Sequence, residues 1–118
     1  MSGFTLAAPN EMERAGNWTL VRRTLGLEAF GLNMVDIPPG EKIPEHDETA
    51  RDQEEVFLAL HGDATIVIDG EEHHLPEGSF ARLDAHLKRT VANDGDETIR
   101  ILICSAPHTS GYAPMEWA

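Results

Sequence analysis

The chain has 118 residues, with 21 acidic against 9 basic side chains, a formal net charge of −12, 41% hydrophobic and 25% charged residues. That size and composition suit a single soluble domain over 1–118, able to bury one core without metal or disulfide staples. So acidic a surface, with no basic stripe to offset it, argues against nucleic acid and anionic membrane as partners.

Met1 to Leu6 show no basic start followed by an apolar core, and no run approaches the ~20 apolar residues of a membrane span. The expected location is therefore cytoplasmic. Residues 11–15 suggest a helical turn, and Trp18 to Leu25 and Glu28 to Ile37 read as two strands. In the second, Phe30, Leu32 and Met34 share one face, with Ala29, Gly31 and Asn33 on the other. After the Pro38-Pro39-Gly40 turn, the acidic stretch from Glu41 to Glu55 reads as a solvated loop.

A strand follows from Glu55. With Glu55 inward, Phe57, Ala59 and His61 share its face and Val56, Leu58 and Leu60 take the other. Both faces are largely apolar, so both should be covered, the outer one by the N-terminal segment or by a second copy in a homodimer. Asp69-Gly70, between Thr65–Ile68 and Glu71–Leu75, is a strong hairpin signal because a type I′ turn needs positive φ at both centres. Thr98 to Cys104 reads as a buried strand, with Cys104 packing as an inert small hydrophobe. The tail from Ala106 looks irregular, and its Tyr112 and Trp117 should pack onto the body or a second subunit. Short strands at this spacing predict an all-β antiparallel sandwich or barrel.

Two spaced patterns sharpen the class. Gly40 is followed by five residues and His46, and Glu55 by six residues and Gly62; Gly70 is followed by five residues and Pro76-Glu77-Gly78, with Asn93 beyond. In this order they resemble the two-part signature of the cupin family, over roughly residues 28–104. The resemblance implies a jelly-roll-like β-barrel, often dimeric, with an interior pocket and a divalent metal held by three histidines and a glutamate.

The chain departs from that ligand set. His46 matches the first histidine position, Glu48 falls on the second, Glu55 matches the glutamate, and Arg89, four before Asn93, falls on the last. His46 and Glu48 are two apart, so on an extended strand they point the same way and could chelate. An arginine keeps its proton and has no lone pair to offer, so Arg89 is no ligand. What remains is His46, Glu48 and Glu55, an oxygen-rich set that weakens a Mn, Fe or Zn site without removing it. Three placements of Arg89 stand open: a buried ion pair with Glu55 or Glu48, a bidentate contact to a bound anion, or solvent exposure.

His86 is the nearest stand-in for the lost ligand, but three residues from Arg89 it faces the other way unless a bulge intervenes. Adjacent His73 and His74 should split, one inward and one outward; His61 and His108 should lie at the surface. No phosphate loop, nucleophile elbow or C-x-x-C pair is present. Three functions follow. One is a barrel that holds a small organic molecule in its interior against Arg89, Phe57, Ala59 and His46, with little or no metal. Another is a divalent-metal enzyme, dioxygenase- or isomerase-like, built on His46, Glu48 and Glu55. A third, least favoured, is an accessory subunit acting through its dimer surface.

Overall fold

The structure, a computed structural model, describes residues 3–118, so Met1 and Ser2 of the amino-terminal reading lie outside it. Strands dominate: β1 (Arg14–Ala15), β2 (Trp18–Thr19), β3 (Gly31–Ile37), β4 (Gln53–His61), β5 (Ala64–Ile68), β6 (Glu71–Leu75), β7 (Phe80–Leu83), β8 (Arg89–Ala92) and β9 (Ile99–Pro107). They form a six-stranded sheet in the order β1-β2-β3-β9-β4-β7 and a three-stranded sheet in the order β6-β5-β8, with antiparallel pairing throughout. Among the described residues no helix is long and apolar enough to cross a membrane.

The core lies between the two sheets. Val35, Ile37, Phe57, Ala59, Leu83, Ile99, Ile101 and Ile103 come from the larger sheet, and Ala64, Ile66, Leu75 and Val91 from the smaller. Alternation along β9 shows why: Ile99, Ile101 and Ile103 point inward while Arg100, Leu102 and Cys104 point outward. Cys104 is therefore half-buried on the outer face rather than in the core, and partial burial pushes its thiol pKa up. At Asp69 and Gly70 φ is +49° and +82°, and Ile68 pairs with Glu71, which is the two-residue hairpin the sequence predicts.

Several expectations fail for local reasons. Trp18–Leu25 is strand only as far as Thr19; Val21–Leu25 is a short helix, α1. Gly26 closes it in the left-handed conformation, with its own N–H on the Arg23 carbonyl and the Leu27 N–H on the Arg22 carbonyl. The β-branched content of that stretch suggested a strand, and the glycine stop outweighs it. The helical turn expected at 11–15 is instead a 3-10 turn at Pro9–Glu11 followed by β1. The second strand begins at Gly31, and its core residues Val35 and Ile37 lie on the face opposite Leu32 and Met34.

The outer face of β4 is also barer than the parity argument predicts. Val56 and Leu58 are half-buried and Leu60 is 44% exposed. A register shift between Ala59 and His61 turns His61 to the surface, off the face of Glu55. Within the single chain Tyr112 and Trp117 are largely exposed, at 76% and 84%, although Tyr112 lines a cleft with Val56 and Cys104. Nearby, the motif glycine Gly62 sits at φ +81°, where an added Cβ would come within 2.6 Å of the Ile99 side chain, so the turn admits no larger residue without displacement.

Candidate functional site

Segment 42–46 runs beside β8 and extends the smaller sheet through bridges Lys42–Ala92 and His46–Arg89. The His46 N–H donates to the Arg89 carbonyl at 3.0 Å and the Arg89 N–H to the His46 carbonyl at 2.8 Å. This exchange fixes the backbone of His46 at the open end of the barrel. Glu48 follows in a loop tied down by its own N–H on the Ala85 carbonyl (2.8 Å). Its carbonyl in turn accepts from Arg51 and Gln53. Glu55 projects inward from β4, whose neighbouring residue Glu54 points out to Arg82.

The three side chains meet. His46 Nε2 lies 3.2 Å from Glu48 Oε2 and 3.8 Å from Glu55 Oε1. Side-chain exposure falls from 38% at His46 to 16% at Glu48 and 8% at Glu55, so the cluster opens to solvent on the histidine side. His46 Nδ1 is 3.1 Å from the Pro44 carbonyl. A carbonyl only accepts, so Nδ1 carries the hydrogen and Nε2 is turned toward the carboxylates. Nε2 facing two acceptor oxygens needs a proton or a cation between them.

Arg89 is fully buried, so the exposed placement left open by the sequence does not occur. Its Nη1 donates to Glu55 Oε1 at 2.9 Å, its Nε to the Leu87 carbonyl at 2.9 Å and its Nη2 to the Asp84 carbonyl at 2.6 Å. Even so, the Glu55 carboxyl is pushed above its ordinary pKa, first by burial and then by the charge of Glu48, against the pull of Arg89 and His46. One guanidinium does not balance two adjacent carboxylates in this setting. The site favours further positive charge.

The donor chemistry fits a divalent metal. Ligand atoms from His46, Glu48 and Glu55 all lie within 4.8 Å of one another, and these are the residues gathered this way among those described. The imidazole is oriented through its other nitrogen by a backbone carbonyl, and one carboxylate is anchored from behind by Arg89. Both features recur in the outer shells of metal sites.

The interior residues named from sequence fare differently. Phe57 and Ala59 belong to the apolar core, Arg89 is held by Glu55 and two carbonyls, and none of the three has exposed surface. Clefts of about 300, 320 and 340 Å³ open elsewhere, and none of the three is lined by Phe57, Ala59, Arg89 or His46. His86 is exposed and lines the cleft of about 340 Å³. His73 and His74 are both exposed, because only Leu75 of β6 reaches the core. His61 and His108 lie at the surface.

Sequence reasoning missed the groups that aim the cluster: the carbonyls of Pro44, Asp84, Ala85 and Leu87. Backbone acceptors leave no mark in side-chain spacing. Asn93 did leave one. Its buried side chain donates to the carbonyls of Ile37 and Glu97 and accepts from the Gly95 N–H, clipping the turn that follows β8.

Two facing antiparallel sheets around a closed core, with a His/Glu/Glu cluster at one end, define a small β-barrel of jelly-roll type. A cupin domain model matches residues 33–105, and the chain belongs to the cupin family. It resembles the crystal structure of a cupin protein from Bacteroides fragilis, with a TM-score of 0.81 and 22% identity, covering 98% of this chain and 93% of that one. It also resembles a predicted oxalate decarboxylase from Thermotoga maritima, with a TM-score of 0.72 and 15% identity over 87% and 99% of the two chains. Among curated proteins, the uncharacterized protein MJ0764 of Methanocaldococcus jannaschii is 21% identical over 99 residues, 83% of each chain. At these identities the structural likeness establishes the fold alone.

Proposed function

We propose that this cupin, acting as one domain over 1–118, works through a divalent-metal centre at the open end of its barrel, where a small oxygen-bearing molecule completes the coordination. The observation that carries the reading is the convergence of His46 Nε2 with Glu48 and Glu55 beside an anchoring arginine. One imidazole and two carboxylates suit Mn or Fe better than a sulfur-seeking ion, with Zn also accommodated. When bound, the ion supplies Lewis-acid activation of a ligand oxygen.

The rest is the work of the chain. His46 presents Nε2 because Pro44 holds Nδ1. Arg89 keeps Glu55 Oε1 in place and is itself held by two carbonyls, so it positions a ligand rather than touching the bound molecule. The exposed edge of His46 is the way in. Dioxygenase- or isomerase-like chemistry is the activity class this supports. The interior-ligand reading, against Arg89, Phe57 and Ala59, is disfavoured by the complete burial of all three.

Titration calorimetry with Mn²⁺ tests the centre. About one ion per chain is expected, with affinity reduced at least ~10-fold in His46→Ala and in Glu48→Gln. Equal binding by wild type and both variants would remove the proposal. We further propose that a second copy covers the half-bare apolar face around Val56, Leu58 and Leu60. Sedimentation should show a dimer that Leu60→Glu dissociates, and a monomer at all concentrations would contradict it.

A further inference from the structure

A second group of side chains carrying nitrogen and oxygen donors lines a separate cleft. Thr49, Asp52, Asp84, Ala85, His86 and His108 line a cleft of about 340 Å³. Sheet topology explains why they line one cleft. In the order β9-β4-β7, the end of β9, the start of β4 and the end of β7 lie at the same edge of the sheet. Gln53 pairs with Pro107 and Glu55 with Leu83, so His108 and residues 84–86 flank β4 from opposite sides. Two strand spacings are about 10 Å, a gap that two facing imidazoles can close.

The backbones are fixed while the rings are free. The Asp84 carbonyl takes Arg89 Nη2 and the Ala85 carbonyl takes the Glu48 N–H. The His108 N–H donates to the Asp52 carbonyl at 3.1 Å. By contrast, the imidazoles of His86 and His108 make no hydrogen bond or ion pair among the described residues. Asp84 Oδ1 is taken by Arg82 at 2.6 Å, which leaves Oδ2 without a partner. The Asp84 carboxyl is held below its ordinary pKa chiefly by Arg82, with both histidines adding to the effect, so both rings lie within electrostatic reach of it.

We propose that His86, His108 and Asp84 form a second, nitrogen-rich metal site, selective for Zn²⁺ over Mn²⁺. Two imidazoles and one carboxylate are the softer counterpart of the one-imidazole, two-carboxylate cluster at the barrel mouth, and imidazole suits zinc where carboxylate suits manganese. The ligand atoms are not already gathered as they are at His46, so binding draws the two exposed rings inward. Exposed side chains change rotamer within nanoseconds, so that rearrangement is no kinetic obstacle. The site is independent of the function proposed above, since it shares no ligand with it.

Zinc titration of the whole chain, read by calorimetry together with side-chain imidazole NMR, tests the inference. Wild type should show a zinc site of micromolar affinity or tighter that moves the His86 and His108 ring signals. His86→Ala/His108→Ala should lose that site, at least a tenfold weakening, while retaining Mn²⁺ binding at the mouth. His46→Ala should keep the cleft site. If His46→Ala leaves Mn²⁺ binding unchanged while the double variant loses zinc, the mouth reading falls and this one stands. Zinc that leaves the His86 and His108 signals unmoved, that binds only at millimolar concentration, or that binds the double variant as well as wild type, would overturn it.

Discussion

Glu54 and Glu55 are neighbours on β4, and each holds an arginine. Alternation sends Glu54 outward, where Arg82 bridges it at 2.9 Å and Asp84 at 2.6 Å in contact with water. Glu55 goes inward to Arg89 at 2.9 Å, with the guanidinium wholly buried. The geometry is nearly the same and the surroundings are not. Water screens the outer pair, so it contributes little to stability. The inner pair has lost its hydration, and each charge depends on the other. Two carboxylates one residue apart thus have different surroundings: one decorates the surface and the other belongs to the His46–Glu48 cluster.

The comparison breaks most sharply at Arg89. Arg89→Ala strands Glu55 in the barrel and takes from the Leu87 carbonyl its donor, leaving the Asp84 carbonyl only the Leu87 N–H at 3.4 Å, and urea unfolding should show a loss of about 3–5 kcal/mol. A loss under ~1 kcal/mol would mean that the buried pair is not what holds this end of the barrel together. Lysine should rescue only in part, since one ammonium cannot reach three acceptors fixed in a guanidinium fork.

Fold and cluster were legible in the sequence to different depths. The hairpin at Asp69-Gly70, the inward Phe57 and Ala59 and the isoleucines of β9 were readable because turn chemistry and two-residue alternation are local. His46, Glu48 and Glu55 were readable as candidates through motif spacing. Their convergence was expected only through the family resemblance, because the contact that brings it about is the antiparallel exchange between His46 and Arg89, residues far apart in the chain. The placement of Arg89 stayed open for the same reason: three of its acceptors are Glu55 and two backbone carbonyls, and only Glu55 has a side-chain signature.

An intermediate case is Asp36, which receives Arg100 at 2.7 and 3.1 Å and Arg14 at 3.4 Å on the flank of the sheet. Its carboxyl sits below the ordinary range, first because of the Arg100 hydrogen bond, against partial desolvation. A carboxyl lowered in this way stabilises the fold above its unfolded value of about 3.9, and the contribution vanishes as pH falls through the folded value. Asp36→Asn should therefore cost ~0.5–1 kcal/mol at neutral pH, allowing for solvent screening. The gap from wild type should narrow as pH falls below the unfolded value and close once pH lies beneath the lowered folded value, in paired acid titrations followed by circular dichroism. A gap that persists at low pH would assign the effect to packing instead.

The smallest effect belongs to the outer pair. Arg82→Ala should leave the unfolding midpoint unchanged within error in 0.5 M salt, roughly a 4 Å screening length. A clear destabilisation there would erase the distinction between the two faces of β4.

The most direct test of the account is anomalous diffraction from crystals soaked in Mn²⁺, with a parallel soak of His46→Ala. One peak in contact with His46 Nε2, Glu48 and Glu55, absent from the variant and leaving Arg89 in place on Glu55, is the predicted result. A wild-type map with no peak at the mouth, or with a bound molecule inside the barrel displacing Arg89 from Glu55, would contradict it and return the working site to the interior.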